Sequence, residues 1–562
     1  MRKYIIALCF LCGASLQAQT NVSKIFVPPF DFPLYLSGNF GELRSNHFHG
    51  GIDFKTESVE GKPIHCIADG YISRISVSTG GYGNALYVTH TNGYTSVYGH
   101  LKTFTKQVAD LVEKYQYEHQ TFAVELTPDS LIFPCRQGQI IALSGNTGFS
   151  FGPHLHMEIR KTSTEENIDP LQFYMNKVKD TTPPRARAVV VYPQAGRGIV
   201  NGHITQETIN ISVPKGKHSL AKPVEAWGEM GVGIKAYDYM DETDNVYGVQ
   251  SVTLYVDSAE VFNSTIDKYA YNENRMINSW TDFTAWKLKG SWVMKSFIAP
   301  GNTLRALRAN KNRGIININQ ERDYKFLYVL KDLYGNASYY RFIVRGRKQT
   351  IPPYYPNDKH LLAWNRANVV QEPGMELVIP KGMLYEDVAL NCKVRNDTNA
   401  ISFDYQLHDA PLPLHTYCSL MIGVRRLPLK DTSKYYVARK QGKNLSSVGG
   451  TYQNGWMKAN IREMGTYTVA IDTIPPKVTP VSRSSWGRGL IMYAVKDAQT
   501  GIKSFGGTID GKFALFGFSA KNAVLSCALN PCHVRKGGKH TLVVKVEDNC
   551  GNITQIEDTF VW

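Results

Sequence analysis

The stretch Gly145-Asn146-Thr147-Gly148-Phe149-Ser150-Phe151-Gly152-Pro153-His154-Leu155-His156-Met157-Glu158-Ile159 decides how this chain is read. Successive side chains of a strand point to opposite faces, so His154 and His156 share one face, two residues apart. In such a pair one imidazole can bind a metal while the other reaches a water on that metal. A second half-site lies upstream in His49-Gly50-Gly51-Ile52-Asp53, with a nitrogen and an oxygen donor four apart. Its paired glycines disfavour a helix and place it in a loop entering a strand. A third piece, Tyr98-Gly99-His100-Leu101, closes an apolar strand with another imidazole. Together, His49, Asp53 and His156 make three ligands with an open fourth position, which is how catalytic zinc is held.

None of these pieces is specific alone. A His-x-His pair on a strand is more often structural, and His-x-x-x-Asp arises by chance in chains of this length. In this order and with these neighbours they resemble the lysostaphin/LytM-type zinc metallopeptidases, which cut peptidoglycan cross-links. The resemblance spans roughly residues 40–172 and includes Gly80-Gly81-Tyr82-Gly83-Asn84 ahead of the strand Ala85–His90. It also takes in Gly138-Gln139-Ile140-Ile141-Ala142-Leu143-Ser144-Gly145-Asn146-Thr147-Gly148 and the closing Ile168-Asp169-Pro170. It implies an antiparallel β-sheet groove, with His49, Asp53 and His156 as zinc ligands. It further implies that His154 and His100 do not bind the metal but act on the water and the tetrahedral intermediate. Every expected position is occupied.

The chemistry is coherent on its own terms. Zinc lowers the pKa of a bound water from about 15.7 to roughly 7. A neutral imidazole, with a pKa near 6.5, accepts a proton from that water and passes it to the leaving amine. A second imidazole stabilises the developing oxyanion. His154 reads as the base and His100 as its partner, although the sequence does not separate the two roles. Arg44 and Asn84 are the substrate-binding candidates. Arg44 precedes the first ligand and would hold a substrate carboxylate or order the loop; Asn84 is a turn or groove residue. His47 reads as a supporting or surface residue, and His65 and His90 as ordinary strand residues.

The first residues read as a secretory signal over 1–18, with Arg2 and Lys3, an apolar run from Ile5 to Leu11, and Ala18-Gln19 as the cleavage region. That run is too short to span a bilayer, and no later stretch is long enough, so no membrane span is expected in the mature chain. The expected location is therefore exported: periplasm, cell envelope or extracellular space. Neither Cys9 nor Cys12 follows a convincing small residue, which disfavours a lipoprotein. Seven cysteines remain, an odd number, with Cys66–Cys135 and Cys392–Cys418 as possible pairs and buried single thiols as the alternative. The formal net charge of +15 is spread through the chain and suits anionic envelope polymers, including peptidoglycan stem peptides. Nucleic-acid binding is the rival explanation of that charge, and neither export nor the absence of a basic-aromatic motif favours it.

At 562 residues the chain needs several cores. The expected class is mainly β: a metallopeptidase domain at 20–176, a β-sandwich at 177–349, a β-rich unit at 350–472 and a second β-sandwich at 473–562. A unit of the peptidase's size normally has its own core, so residues 20–176 are expected to fold alone and keep the chemistry. Within it, 101–137 is an insert longer than a strand connection requires. There Phe104, Val108, Leu111, Val112 and Tyr115 recur at helical spacing, and Phe122, Val124 and Leu126 alternate like a strand. It reads as a packed decoration or as a wall over the groove. The two sandwiches echo each other and are similar to bacterial immunoglobulin-like modules. Asp180-Thr181-Thr182-Pro183-Pro184 recurs as Asp472-Thr473-Ile474-Pro475-Pro476, and the strand ending at Asp238 as that ending at Asp497. Gly248-Val249-Gln250-Ser251 recurs as Gly501-Ile502-Lys503-Ser504, and Asp332-Leu333-Tyr334-Gly335-Asn336 as Asp548-Asn549-Cys550-Gly551-Asn552. The first copy carries an insertion at 258–325. Aspartates near these turns could bind calcium, but turn chemistry is the simpler reading.

The functional expectation is an exported zinc endopeptidase for peptidoglycan cross-links. The alternative is a non-enzymatic envelope protein that binds and activates a wall amidase, which loss of a metal or base residue would favour. An adhesive or scaffolding role for the C-terminal β domains, through envelope protein partners, is compatible with either.

Overall fold

Strand β7 (His154–Lys161) sits in the middle of the N-terminal sheet because its sequence alternates. Leu155, Met157 and Ile159 are fully buried on the core side, leaving the histidines on the other face. The computed structural model describes residues 25–212, 219–356, 358–396 and 400–562; the expected signal at 1–18, with Cys9 and Cys12, lies outside them. Around β7 stand β1 (Leu36–Gly38), β2 (Ile52–Lys55), β3 (Gly70–Val77), β4 (Asn84–His90), β5 (Tyr94–Gly99) and β6 (Val124–Leu126). They form an antiparallel path in the order β1-β2-β7-β5-β4-β3-β6. Register places His156 directly opposite Asp53 on one side and opposite Gly99 on the other. The insert between β5 and β7 contains helix α1 (Lys106–His119), which buries Val108, Val112 and Gln116.

The buried core of residues 20–176, expected to stand on its own, continues into the unit that follows. One continuous cluster of buried residues runs from Phe26 to Tyr385. Two elements of the 258–325 insertion cause this. The short strand Lys268–Tyr269 pairs with β8 (Asn167–Ile168), extending the peptidase sheet. Tyr269 also packs on Phe40 and Phe48, with centroid distances of 5.3 Å to each, while Trp280 packs on Phe48 at 5.9 Å.

The unit that follows, expected as a β-sandwich, has its strands joined into one eleven-stranded sheet. Strands β9 (Arg185–Val200) and β10 (Val224–Tyr237) are long enough to bend, and a register break between Pro193 and Gly198 turns the ladder. Residues β11 (Ser251–Val256), β12 (Asp323–Lys331) and β13 (Ala337–Gly346) complete its central pairing. Two five-stranded sheets follow and enclose a separate core from Leu362 to Val469. The last unit has two four-stranded sheets built from β14 (Lys477–Val481), β15 (Leu490–Lys496), β16 (Ile502–Ile509), β17 (Lys539–Asp548) and β18 (Ile553–Val561) with three shorter strands. The echo in the sequence is an echo in topology: β9-β10 corresponds to β14-β15, and β11-β12-β13 to β16-β17-β18.

All seven described cysteines are free thiols. The pairs Cys66–Cys135 and Cys392–Cys418 are not formed; Cys66 turns its thiol to the Ala68 carbonyl at 3.0 Å and Cys135 to that of Phe133 at 3.7 Å. Among the described residues no helix is long and apolar enough to cross a membrane.

Candidate active site

His49, Asp53 and His156 bring three donor atoms together. His49 Nε2 lies 3.0 Å from Asp53 Oδ1 and 3.0 Å from His156 Nδ1, and the last two are 2.9 Å apart. All three residues are buried. The outer ring nitrogens fix the tautomers. His49 donates its Nδ1–H to the Asn39 carbonyl at 2.7 Å, and His156 donates its Nε2–H to Glu158 Oε1 at 3.0 Å. The inner nitrogens therefore present lone pairs, facing each other and a carboxylate oxygen. Three buried acceptors facing one another need a proton or a metal cation between them. The cluster favours positive charge strongly. Although burial opposes it, the bonds to Asp53 and Glu158 raise the His156 imidazole to about 9. Burial likewise works against the Asp53 anion, yet His49 and His156 hold it well below the usual carboxylate range. Two imidazoles and one carboxylate, each supported from outside, are a donor set that fits zinc.

His100 and His154 stand beside this triangle, their ring centroids 4.7 Å apart. His100 follows β5 in a left-handed conformation (φ 60°), a strained state that turns its side chain back towards β7. Its Nδ1–H donates to the Thr147 carbonyl at 2.8 Å. His154 donates its Nδ1–H to the Gly152 carbonyl at 2.8 Å, with the Ser150 hydroxyl at 3.2 Å. Both rings thus keep an unprotonated Nε2, and that of His154 lies 3.6 Å from Asp53 Oδ1. Burial, then the neighbouring imidazoles, lowers His100 to about 3; burial also lowers His154. Both are neutral near pH 7.

Arg44 is engaged with the site itself. Its guanidinium Nη2 lies 2.9 Å from Glu42 and 3.5 Å from Asp53 Oδ2. Gly38 makes room for this group, since a Cβ there would stand 2.7 Å from Asp53 Oδ2 and 2.9 Å from Arg44 Nη2. Asn84 opens β4, donates its backbone N–H to the Thr147 hydroxyl oxygen at 3.0 Å, and keeps its amide near the Lys102 carbonyl. His47 is exposed and bonded to the Ser45 carbonyl, while His65 and His90 are held by carbonyls of their own sheet region. Sequence reading passes over Asn39, Gly38, Glu158 and Arg160. Glu158 and Arg160 carried a usable signal, because they continue the alternation of His154 and His156 on the same face. Arg160 closes the row by binding Glu158 Oε2 at 2.6 Å, and the Glu158 carboxyl is held at about 2 although burial pushes it up. The last β unit also reaches this region: Lys521 Nζ donates to the carbonyls of Asn146 at 2.7 Å and Ser150 at 3.1 Å.

Residues 47–117 match Peptidase family M23, and residues 359–472 match a Zu5-like domain. Residues 47–117 thus carry a domain similar to the M23 peptidases, and zinc is the metal of that family. The match takes in His49, Asp53 and His100 and ends inside α1, ahead of His154 and His156. An uncharacterized metalloprotease of Haemophilus influenzae is 32% identical over 143 residues, 25% of this chain and 23% of that protein. The DD-carboxypeptidase/endopeptidase Mpg of Neisseria meningitidis serogroup B is 32% identical over 118 residues, 21% of each chain. The catalytic domain of lysostaphin from Staphylococcus simulans is 25% identical and aligns with 25% of this chain and 91% of its own, with a TM-score of 0.19. The chain spans less than a quarter of the length of the two curated relatives.

Proposed function

We propose that this chain is an exported zinc-dependent endopeptidase that hydrolyses peptide cross-links of bacterial peptidoglycan. The observation that carries the reading is the pair of open Nε2 atoms on His100 and His154 beside the buried donor triangle of His49, Asp53 and His156. When bound, zinc supplies a Lewis acid and lowers the pKa of water to roughly 7. The protein's own groups do the rest. His154 takes the proton of the attacking water on Nε2, and its bond to Gly152 keeps that nitrogen aimed inward. That proton passes from His154 to the leaving amine, and His100, anchored on Thr147 through Nδ1, accepts the other hydrogen of the attacking water on its Nε2 and so orients it. Arg44 is partly exposed beside Asp53 and is suited to a substrate carboxylate, and Asn84 to a backbone group of the peptide. A relative named for carboxypeptidase and endopeptidase activity supports peptidoglycan stem peptides as the substrate, hence a periplasmic, envelope or extracellular location. The division into a peptidase region at 20–176 and β units at 177–349, 350–472 and 473–562 belongs to the same proposal, with the later units as surfaces for envelope partners. The amidase-activator reading is favoured by loss of a site residue, and none of the five is lost.

The test is digestion of purified sacculi by the zinc-loaded protein, with released fragments identified by mass spectrometry. His156→Ala is expected to lose zinc and activity together. His154→Ala and His100→Ala are expected to keep zinc and lose activity by about 10²–10⁴-fold. Parental cleavage by either of these two removes its assigned role, and stimulation of an amidase by an inert protein establishes the alternative.

A further inference from the structure

The two echoing β units each gather three aspartates at matched positions. In the first they are Asp180, Asp238 and Asp332; in the last, Asp472, Asp497 and Asp548, and in each set the carboxylate oxygens lie within 4.8 Å of one another. Much of the surroundings is also matched. Asp332 accepts the backbone and side-chain N–H of Asn336, as Asp548 accepts those of Asn552. Asn336 then donates to the Asp180 carbonyl at 3.1 Å, as Asn552 donates to that of Asp472 at 3.0 Å. One oxygen of Asp180 takes the Thr182 N–H, as one of Asp472 takes the Ile474 N–H.

The sets differ where it matters. In the last unit Thr500 donates its hydroxyl to Asp472 Oδ2 at 2.8 Å, and Asp497 Oδ2 accepts the backbone N–H groups of Gln499, Thr500 and Gly501. That triad is satisfied by the protein. In the first unit the chain after Asp238 runs through a longer loop, and no counterpart of Thr500 arrives. Asp180 Oδ2 and Asp238 Oδ1 are buried without a hydrogen-bond partner, and the two residues are only 6% and 2% exposed. Asp241, a neighbouring carboxylate, is already held by Thr181 and Thr182. Two orphaned anionic oxygens in a buried, all-oxygen cluster are a costly arrangement unless something positive lies between them. Oxygen donors alone select a hard cation, and calcium, with ligand distances of about 2.3–2.6 Å, fits oxygens spaced across such a cluster.

We propose that Asp180, Asp238 and Asp332 form a calcium site at the junction between the peptidase region and the first β unit, and that Thr500 replaces the ion in the last unit. Asp180 lies two residues beyond Val178, whose carbonyl accepts the Tyr334 hydroxyl from the same turn as Asp332 at 2.7 Å. Calcium there ties the end of the peptidase region to β10 and to the β12–β13 turn.

The experiment is calorimetric titration of the zinc-loaded full chain with calcium, alongside thermal unfolding with and without about 5 mM calcium, in the range of extracellular sites. One calcium per chain is expected, with the unfolding midpoint raised by a few degrees and no such response to equal magnesium. Asp238→Asn and Asp332→Asn are expected to weaken calcium at least tenfold while zinc content, read by elemental analysis, is unchanged. No calcium binding by the parent protein overturns the site, as does binding that survives both substitutions. The competing account is that a proton neutralises the cluster. Burial, then neighbouring carboxylates, raises Asp180 to about 7, and burial and Asp332 raise Asp238 to about 8. Raised carboxyls contribute stability that is lost as pH climbs through those values. Stability falling from about pH 4 to about pH 8 and level above it, equally with and without calcium, is therefore the result that replaces the ion with a proton.

Discussion

Glu158 accepts the outer nitrogen of His156 with one carboxylate oxygen while Arg160 holds the other, so the ligand's tautomer rests on a buried ion pair. Such support is commonly worth 10–100-fold in metal affinity. Glu158→Gln keeps the shape but removes the charge and leaves Arg160 only its longer contacts with Glu165 and Tyr82. It is expected to weaken zinc by about 10–100-fold in competition with a chelator, and an affinity within twofold of the parent means that the carboxylate plays no such part. At this scale the sequence was legible where residue type and spacing coincide with chemistry. His49, Asp53, His100, His154 and His156 were named from motifs, and the fold brings them together. The supports were not all legible, because Asn39 acts through its carbonyl and Gly38 by lacking a side chain.

Helix α1 shows how an element is held from both sides. Val108 and Val112, two of the residues read at helical spacing, form its inner stripe, and Gln116, a polar residue, continues it. Its outer stripe, Glu113 and Tyr117, meets the last β unit. Asn530 donates to Glu113 at 2.7 Å, and His533 stacks on Tyr117 with centroids 3.5 Å apart. Gly517 admits Phe122, where any Cβ would stand 2.8 Å from its ring. A 14-residue helix is marginal alone, so both contacts matter. Tyr117→Ala removes a stacked pair worth about 0.5–1.5 kcal/mol beyond its buried area. Faster amide exchange across residues 106–119, read by mass spectrometry, is the expected result; unchanged exchange shows the contact to be incidental.

For the whole molecule, the shared core sets where the chain can be cut. Tyr269 and Trp280 lie fully buried against Phe40 and Phe48 of the peptidase region. Aromatics of this kind bury roughly 150–250 Å² each, about 4–6 kcal/mol apiece at ~25 cal/mol/Å². Against a net stability of about 5–15 kcal/mol, losing two such contacts is decisive. A fragment ending at residue 176 is therefore expected to show no cooperative unfolding transition, while one ending near 349 unfolds cooperatively and binds zinc. A shorter fragment that melts cooperatively at the parental temperature removes the claim that the core is shared.

The sequence alone determined what is local. Alternation set strands, paired glycines and prolines set their ends, and the ordered His, Asp and His-x-His motifs set the donor atoms, since strand geometry fixes which side chains share a face. The twin triads were also present in it as an echo of aspartates. Only the tertiary structure decided which of those aspartates are satisfied, because that depends on one hydroxyl, Thr500, arriving in one unit and not in the other. It also decided that the insertion at 258–325 completes the peptidase sheet and that the last unit returns to α1 and to the loop before His154. Contacts between residues hundreds of positions apart leave no periodicity in the chain. They follow from which apolar faces remain uncovered once the local elements have formed.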